Sequence, residues 1–176
     1  FPTLMKHVDF MSADAHKWLL GPMAIGIVYV KKKNFDLLRP TLLGAWNVRS
    51  PDYITQETIS FHSTARRYEP GVLNASGIVG FKAVLEMIQE IGLGTISERL
   101  LLLKSKLVSQ LESLGYKIHG PKDGINASSI TTFNHEKQKA SIIFEKLNEA
   151  GIVSSCRKNR QGEEFLRFSP HFYNTE

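Results

Sequence analysis

Residues 7–29 read HVDFMSADAHKWLLGPMAIGIVY. An apolar, strand-like run opens this stretch, a short polar turn presents His16 and Lys17, and Gly21-Pro22 lead back into a second β-rich run, Ile25 to Val30. A lysine on such a turn is held by strands on both sides. That placement suits an amine that must stay in register with a bound carbonyl compound, because a Schiff base forms only when the nitrogen is positioned and partly deprotonated. Lys17 is therefore the candidate nucleophile, although an ordinary solvated lysine at a strand end has the same spacing.

Beyond Lys31 the pattern weakens. Phe35 to Leu38 reads as a short helical turn, Pro40 and Gly44 punctuate, and Trp46 to Tyr53 reads as a polar loop around Pro51. Loops of this length tend to be functional or to cover a partner subunit. Ser60 to Tyr68 then runs into Glu69-Pro70-Gly71, which ends any element before it.

From Asn74 the period becomes helical. Ile78, Phe81, Leu85, Ile88 and Ile91 share one face, with Gly92 and Gly94 expected to stop the helix. In the next helix Ile96, Leu100, Leu103, Leu107, Leu111 and Leu114 form the apolar stripe, Glu98, Lys104, Lys106 and Glu112 sit off it, and Gly115 closes it. Strands are expected at Tyr116 to His119 and Ser128 to Phe133, around a turn at Gly120 to Gly124. A helix from Lys137 to Ala150, with Ile143, Phe144 and Leu147 inward, precedes strands at Ile152 to Cys156 and Phe165 to Ser169, joined by the polar loop Arg157 to Glu164. The order α-β-β-α-β-β describes a small α+β layer domain.

The chain has 176 residues, enough for one domain or one and a half smaller ones. Hydrophobic residues at 42% and charged residues at 22% are globular values, and no apolar run is long enough to span a membrane. A single cysteine, Cys156, excludes an internal disulfide framework and fits a reducing compartment, with the cytoplasm as the default. The net charge of +5 raises the question of nucleic acid, but the basic residues are scattered apart from Lys31-Lys32-Lys33. No nucleic-acid motif accompanies them, and a small anionic ligand explains clustered arginines as well. Phe1 begins abruptly, and Asn174-Thr175-Glu176 offers N-cap chemistry with no helix after it, so the sequence reads as a piece of a longer chain.

Three segments, taken in order, resemble one known family. His16-Lys17 after Val8-Asp9-Phe10-x-Ser12, then Trp18 to Pro22 and Gly26 to Val30, form the first; Arg66 to Asn74 the second; Leu166 to Thr175 the third. Together they resemble the class V aminotransferases, the fold-type I pyridoxal-phosphate enzymes that include cysteine desulfurases, kynureninases and isopenicillin-epimerase-like proteins. The resemblance implies an α/β fold-type I transferase. Residues 1–92 would be the end of the large cofactor domain, and residues 93–176 a small α+β C-terminal domain without its terminal helix. It further implies a pyridoxal 5'-phosphate cofactor, an amino-acid or keto-acid substrate, a homodimer, and neither nucleic acid, membrane nor metal as partner.

By the same resemblance Lys17 is the Schiff-base lysine and then the base that moves the Cα proton, and His16 is a phosphate ligand, with Ser12 a weaker one. Arg167, six residues before Tyr173, would hold the substrate α-carboxylate through its planar fork of donors. Gly71 and Val72 stand in the glycine turn that reaches the phosphate of the neighbouring subunit. The chain departs from the family at Val72, where threonine is common and a backbone amide must serve instead. It departs also at Asp14, where a small or hydroxyl residue is usual, and at Ala24, where glycine is usual. Counting from Gly151, the nucleophilic cysteine of desulfurases would fall at Arg160, and Cys156 lies four residues early. Amino transfer or epimerisation is accordingly the first expectation, with cysteine desulfuration or an inactive fragment of the fold as alternatives.

Overall fold

In the first β-rich run, Phe10 and Met11 face Val30 and Tyr29 across an antiparallel pair: strand β1 (Phe10–Asp14) lies against β2 (Gly26–Val30) in the register Phe10↔Val30 to Asp14↔Gly26. The computed structural model describes residues 6–49 and 57–175. Residues 1–5, residues 50–56, which include the last four residues of the expected Trp46 to Tyr53 loop, and Glu176 lie outside them. At Gly26 a Cβ would stand 2.6 Å from the Ala13 carbonyl oxygen, so glycine is what lets the two backbones close at that end. After β2 the expected helical turn at Phe35 to Leu38 starts earlier, as a 3-10 turn over Lys32–Asn34.

Helix α1 (Ala75–Ile91) and helix α2 (Leu93–Ser113) follow one another with only Gly92 between them, at φ 88°. The left-handed conformation at Gly92 makes the break. Gly94, expected to help stop the first helix, is the second residue of α2. The chain divides into two compact units, Phe1–Met87 and Ile88–Glu176.

In the second unit the strands β3 (Lys117–His119), β4 (Thr131–Asn134), β5 (Ser155–Lys158) and β6 (Glu164–Phe168) form an antiparallel sheet in the order β3-β4-β6-β5. Helix α3 (Ala140–Glu149) crosses between β4 and β5. Leu111, Phe133, Ala140, Ile143 and Leu166 form the buried cluster, flanked by half-buried Leu107, Tyr116, Ile118, Phe144, Leu147, Cys156 and Phe168. Each large side chain buried there contributes about 1.5–3 kcal/mol from apolar area removed from water.

Three strands begin later than the sequence suggests, and in β3 and β5 the first expected residue is lost for one reason. Gly115 and Gly151 are left-handed, at φ 82° and 73°, and the residue after each spends its amide on closing the preceding helix: Tyr116 N–H donates to Leu111 O at 3.0 Å and Ile152 N–H to Leu147 O at 2.8 Å. Neither amide is then available to a strand. The expected strand at Ser128 to Phe133 begins only at Thr131, and the residues facing inward are Ser129, Thr131 and Phe133, with Ile130 outward. Lys104, expected off the apolar stripe, is 3% exposed. Its aliphatic stem is buried, its Nζ donates to the Ile130 carbonyl at 3.1 Å, and burial pushes its pKa down.

Helix α3 also starts late, at Ala140, because His135 to Gln138 close a turn in which Lys137 N–H donates to His135 Nδ1 at 3.1 Å. Its own N-cap residue, Lys139, supplies no side-chain bond. Glu164, from β6, does so instead: its Oε2 accepts from Ser141 N–H at 3.0 Å and Ser141 Oγ–H at 2.6 Å, while Lys158 Nζ lies 3.2 Å from Oε1. The two Ser141 bonds, then the lysine, hold the Glu164 pKa down to about 2 from 4.5. A carboxyl whose pKa is lower in the folded state stabilises that state above its unfolded pKa and loses this contribution as pH falls through the folded value. Acid titration of the intact protein should therefore show stability falling between about pH 4.5 and 2. Glu164→Gln should remove that slope and lower the stability at pH 7, measured by denaturant unfolding.

Candidate active site

The turn that carries Lys17 is built from the inside. Ala15 is fully buried, its N–H donates to Ile25 O at 3.1 Å, and its carbonyl accepts Gly21 N–H at 2.8 Å. Leu20 N–H closes on the Lys17 carbonyl at 3.1 Å. Two non-glycine residues, Leu20 and Ala24, are left-handed at φ 52° and 59°, a conformation that L side chains adopt at a cost of about 1–3 kcal/mol. The surroundings hold them there. A Cβ at Gly21 would stand 2.7 Å from Ala15 Cβ and 3.1 Å from Phe81 Cδ2, and one at Gly80 would stand 2.7 Å from Pro22 Cγ. The base of the turn is thus seated on the first turns of α1, while His16, Lys17 and Trp18 are exposed.

Lys17 Nζ lies 4.0 Å from the Asp14 carboxylate, with the two side chains 74% and 68% exposed. An ion pair so open to water contributes little and leaves the amine accessible. Ser12 and Asp14 point to the same side of β1, since residues two apart share a strand face, and both are exposed. Asp14 thereby places a negative group on the same exposed face of β1 as Ser12.

Gly71 and Val72 follow a 3-10 turn, Ala65–Tyr68, and are exposed; a Cβ at Gly71 meets nothing within 4 Å. Their position is set by a neighbouring loop. Asn47, 1% exposed, donates from Nδ2 to Leu42 O at 2.8 Å and to Arg67 O at 3.1 Å, and its Oδ1 accepts Gly44 N–H at 3.0 Å. At Gly44 a Cβ would fall 2.0 Å from the Pro70 carbonyl oxygen. The Arg67 guanidinium lies over Phe35, Phe61 and Tyr68 at 5.0, 5.7 and 6.0 Å, and its Nε is buried without a hydrogen-bond partner among the described residues.

Arg167 belongs to the second unit. It is half-buried in β6, opposite Thr132 of β4 and Ser155 of β5, and its Nε is likewise buried without a partner among the described residues. Such an atom favours an incoming acceptor, because an unpaired buried donor costs about 1–3 kcal/mol. Cys156 is on β5 opposite Leu166, half-buried against the core. Arg160 is on a tight turn where Asn159 Oδ1 accepts the N–H groups of Gln161 and Glu163 at 3.0 and 2.9 Å. Asn174, expected to cap a following helix, turns backward: its Oδ1 accepts His171 N–H at 2.7 Å.

Ser12, His16, Lys17, Gly71 and Val72 therefore fall in the first unit and Arg167 in the second. Sequence reasoning missed Asn47, whose only signal was a carboxamide between Trp46 and Val48 in a loop. Among the described residues no group of three or more His, Cys, Asp or Glu is placed to hold a metal, and no helix is long and apolar enough to cross a membrane.

Three substitutions test how the site is held. Gly21→Ala should destabilise the protein by about 1–3 kcal/mol through the forced contact with Ala15 and Phe81, whereas Gly71→Ala, with open space around it, should stay within about 0.5 kcal/mol of wild type. Asn47→Ala strands two carbonyls and an amide and should cost about 2–4 kcal/mol. Denaturant midpoints of the three variants measure all of these.

The family model for aminotransferase class-V matches residues 5–176. A probable cysteine desulfurase of Pyrococcus abyssi is 26% identical over 141 residues, which cover 78% of this chain and 34% of that protein. The uncharacterized aminotransferase YcbU of Bacillus subtilis is 24% identical over 169 residues, covering 96% of this chain and 42% of that one. Among solved structures, the apo cysteine desulfurase of Thermococcus onnurineus superposes with a TM-score of 0.84 at 24% identity, over 96% of this chain and 44% of that one, a likeness of fold. The chain spans between a third and a half of the length of each of these proteins.

Proposed function

Because this chain belongs to the aminotransferase class-V family and has part of its fold-type I α/β architecture, we propose that the whole protein is a pyridoxal-phosphate enzyme acting at the Cα of an amino acid. The observation that carries this reading is Lys17, an exposed amine on a turn fixed from beneath by Ala15, Gly21 and Phe81. The residues present fit the cofactor at its reactive and anionic ends. Lys17 offers an accessible amine, and exposed His16 and Ser12 offer donors close in sequence to it. Bound pyridoxal phosphate supplies the electron sink that acidifies the substrate Cα–H.

In this reading Lys17 Nζ would hold the cofactor through its aldehyde, and the same amine, when free, would take and return the Cα proton. Arg167, with its unpartnered buried Nε, orients the substrate α-carboxylate. In a homodimer, Gly71 and the Val72 backbone N–H would serve the phosphate of the second subunit, without the hydroxyl a threonine would add. Asp14 opposes an anion on its side of β1 and weakens phosphate binding relative to a neutral residue. Residues 1–92 then end the large cofactor domain and residues 93–176 form most of the small one. Because residues 1–176 span less than half the length of the relatives described above, we assign this activity to the whole protein and not to residues 1–176 alone.

Amino transfer or epimerisation is the reaction we favour, because Cys156 is fixed in a strand and the position expected for the nucleophilic cysteine holds Arg160, which has no thiol. A second reading, cysteine desulfuration, draws support from the names of the Pyrococcus abyssi and Thermococcus onnurineus proteins. The substrates separate them. The intact protein incubated with amino acids and a keto-acid acceptor should transfer or invert the amino group, and should release no sulfane sulfur from cysteine. Sulfane sulfur released at a rate that Cys156→Ser abolishes would reverse the order of the two readings. Lys17→Ala should lower turnover by about a thousandfold or more. Arg167→Met should raise KM for the amino acid about tenfold to a hundredfold with a smaller change in kcat. Full activity in Lys17→Ala would contradict the assignment.

A further inference from the structure

We propose that Asn74 is the positioning residue that holds the lysine turn in register with helix α1, an inference that rests on the role given above to Lys17. Its carboxamide is used at both ends. Oδ1 accepts Gly77 N–H at 2.9 Å and Ser76 Oγ–H at 3.0 Å, the bonds expected of an N-cap on a helix that begins at Ala75. Because the oxygen is fixed on the helix side, the nitrogen must face the other way, and Nδ2 donates to the Ala24 carbonyl at 3.3 Å. One side chain thus ends in the helix and begins in the turn.

The position of that second bond matters. Ala24 is one of the two left-handed non-glycine residues of the turn, at φ 59°, so its carbonyl points where an ordinary extended residue would not send it. Pro22 against Gly80 and Gly21 against Phe81 also seat the turn on α1, but these are apolar contacts that resist approach without fixing a direction. The Asn74 bond has a direction. Gly77 is fitted to it, since a Cβ there would stand 2.5 Å from Asn74 Nδ2 and 2.8 Å from Cγ. Asn74 also lies three residues after Gly71, so the lysine turn and the glycine turn are tied to one helix terminus by the same residue.

An aspartate at this position separates the two duties. Its carboxylate would cap α1 as well as the asparagine oxygen does, with a favourable charge at the helix N-terminus, but it has no hydrogen to give the Ala24 carbonyl. Asn74→Asp in the intact protein should therefore keep α1 and release the turn, while Asn74→Ala should loosen both. Amide hydrogen exchange of the cofactor-free protein reads this directly. We expect Asn74→Asp to speed exchange at Ala15, Leu20 and Gly21 about tenfold while the α1 amides keep their wild-type protection, and Asn74→Ala to speed both. In protein loaded with pyridoxal phosphate, Asn74→Asp should also shift the pH midpoint of the visible absorption and lower kcat about tenfold with little change in amino-acid KM.

Wild-type exchange in the turn of Asn74→Asp would overturn the proposal, and so would faster exchange in α1 to the same degree. Faster exchange in the turn with an unmoved absorption midpoint would also overturn it, leaving Asn74 a structural cap only. The exchange result is read without cofactor, so it stands even where the wild-type protein fails to take up pyridoxal phosphate. That failure would sink the Lys17 assignment instead.

Discussion

At Gly21 the backbone comes so close to Ala15 and Phe81 that no side chain fits between them, and the rest of the lysine turn depends on that approach. It brings the Gly21 N–H within 2.8 Å of the Ala15 carbonyl, buries Ala15 completely, and leaves Leu19 and Leu20 only half-buried. His16, Lys17 and Trp18 are outside because the interior is already full. The same closure forces Leu20 and Ala24 into the left-handed region, where strain of this kind persists only if neighbouring structure over-determines it. Pro22 on Gly80 and the Asn74 bond to Ala24 supply that determination. An amine held this way keeps its position while remaining open to a ligand, which is what capture of a carbonyl compound requires.

The second unit solves a different problem with the same economy of local rules. Glycines at 115 and 151 end α2 and α3 in the left-handed conformation, and each sends the chain back toward the sheet. Helix α3, which has no cap of its own, borrows Glu164 from β6, so the helix start and the strand that contains Arg167 are fixed to each other. Arg167 lies between two neighbours in the sheet, and the half-buried fork it presents is a consequence of that central placement.

Much of this was legible in the sequence, because period and punctuation are local properties. The change from period two to period 3.6 at Asn74, the α2 stripe from Ile96 to Leu111, the α-β-β-α-β-β order and the motif around His16-Lys17 all follow from residues close together in the chain. Leu114, expected on that stripe, lies past the helix end and is 67% exposed, and Val108, not expected on it, is buried. What was not legible depends on partners far apart. Polarity alone puts Lys104 in water, and only the carbonyl of Ile130 explains why it is buried. Ile152 looks like a strand residue until its amide is seen to finish a helix. Ser129 and Thr131 face inward where the hydrophobic pattern would have turned Ile130 in. Asn47 and Asn74 carry no motif strength of their own, and their importance lies wholly in the carbonyls and amides that they join.

Covalent mapping decides whether Lys17 is the amine that takes a pyridoxal cofactor. The intact protein, loaded with pyridoxal phosphate and reduced with borohydride, should yield a single pyridoxyl-modified peptide with the label on Lys17. A label on another lysine, or no label after loading, would rule out Lys17 as that amine.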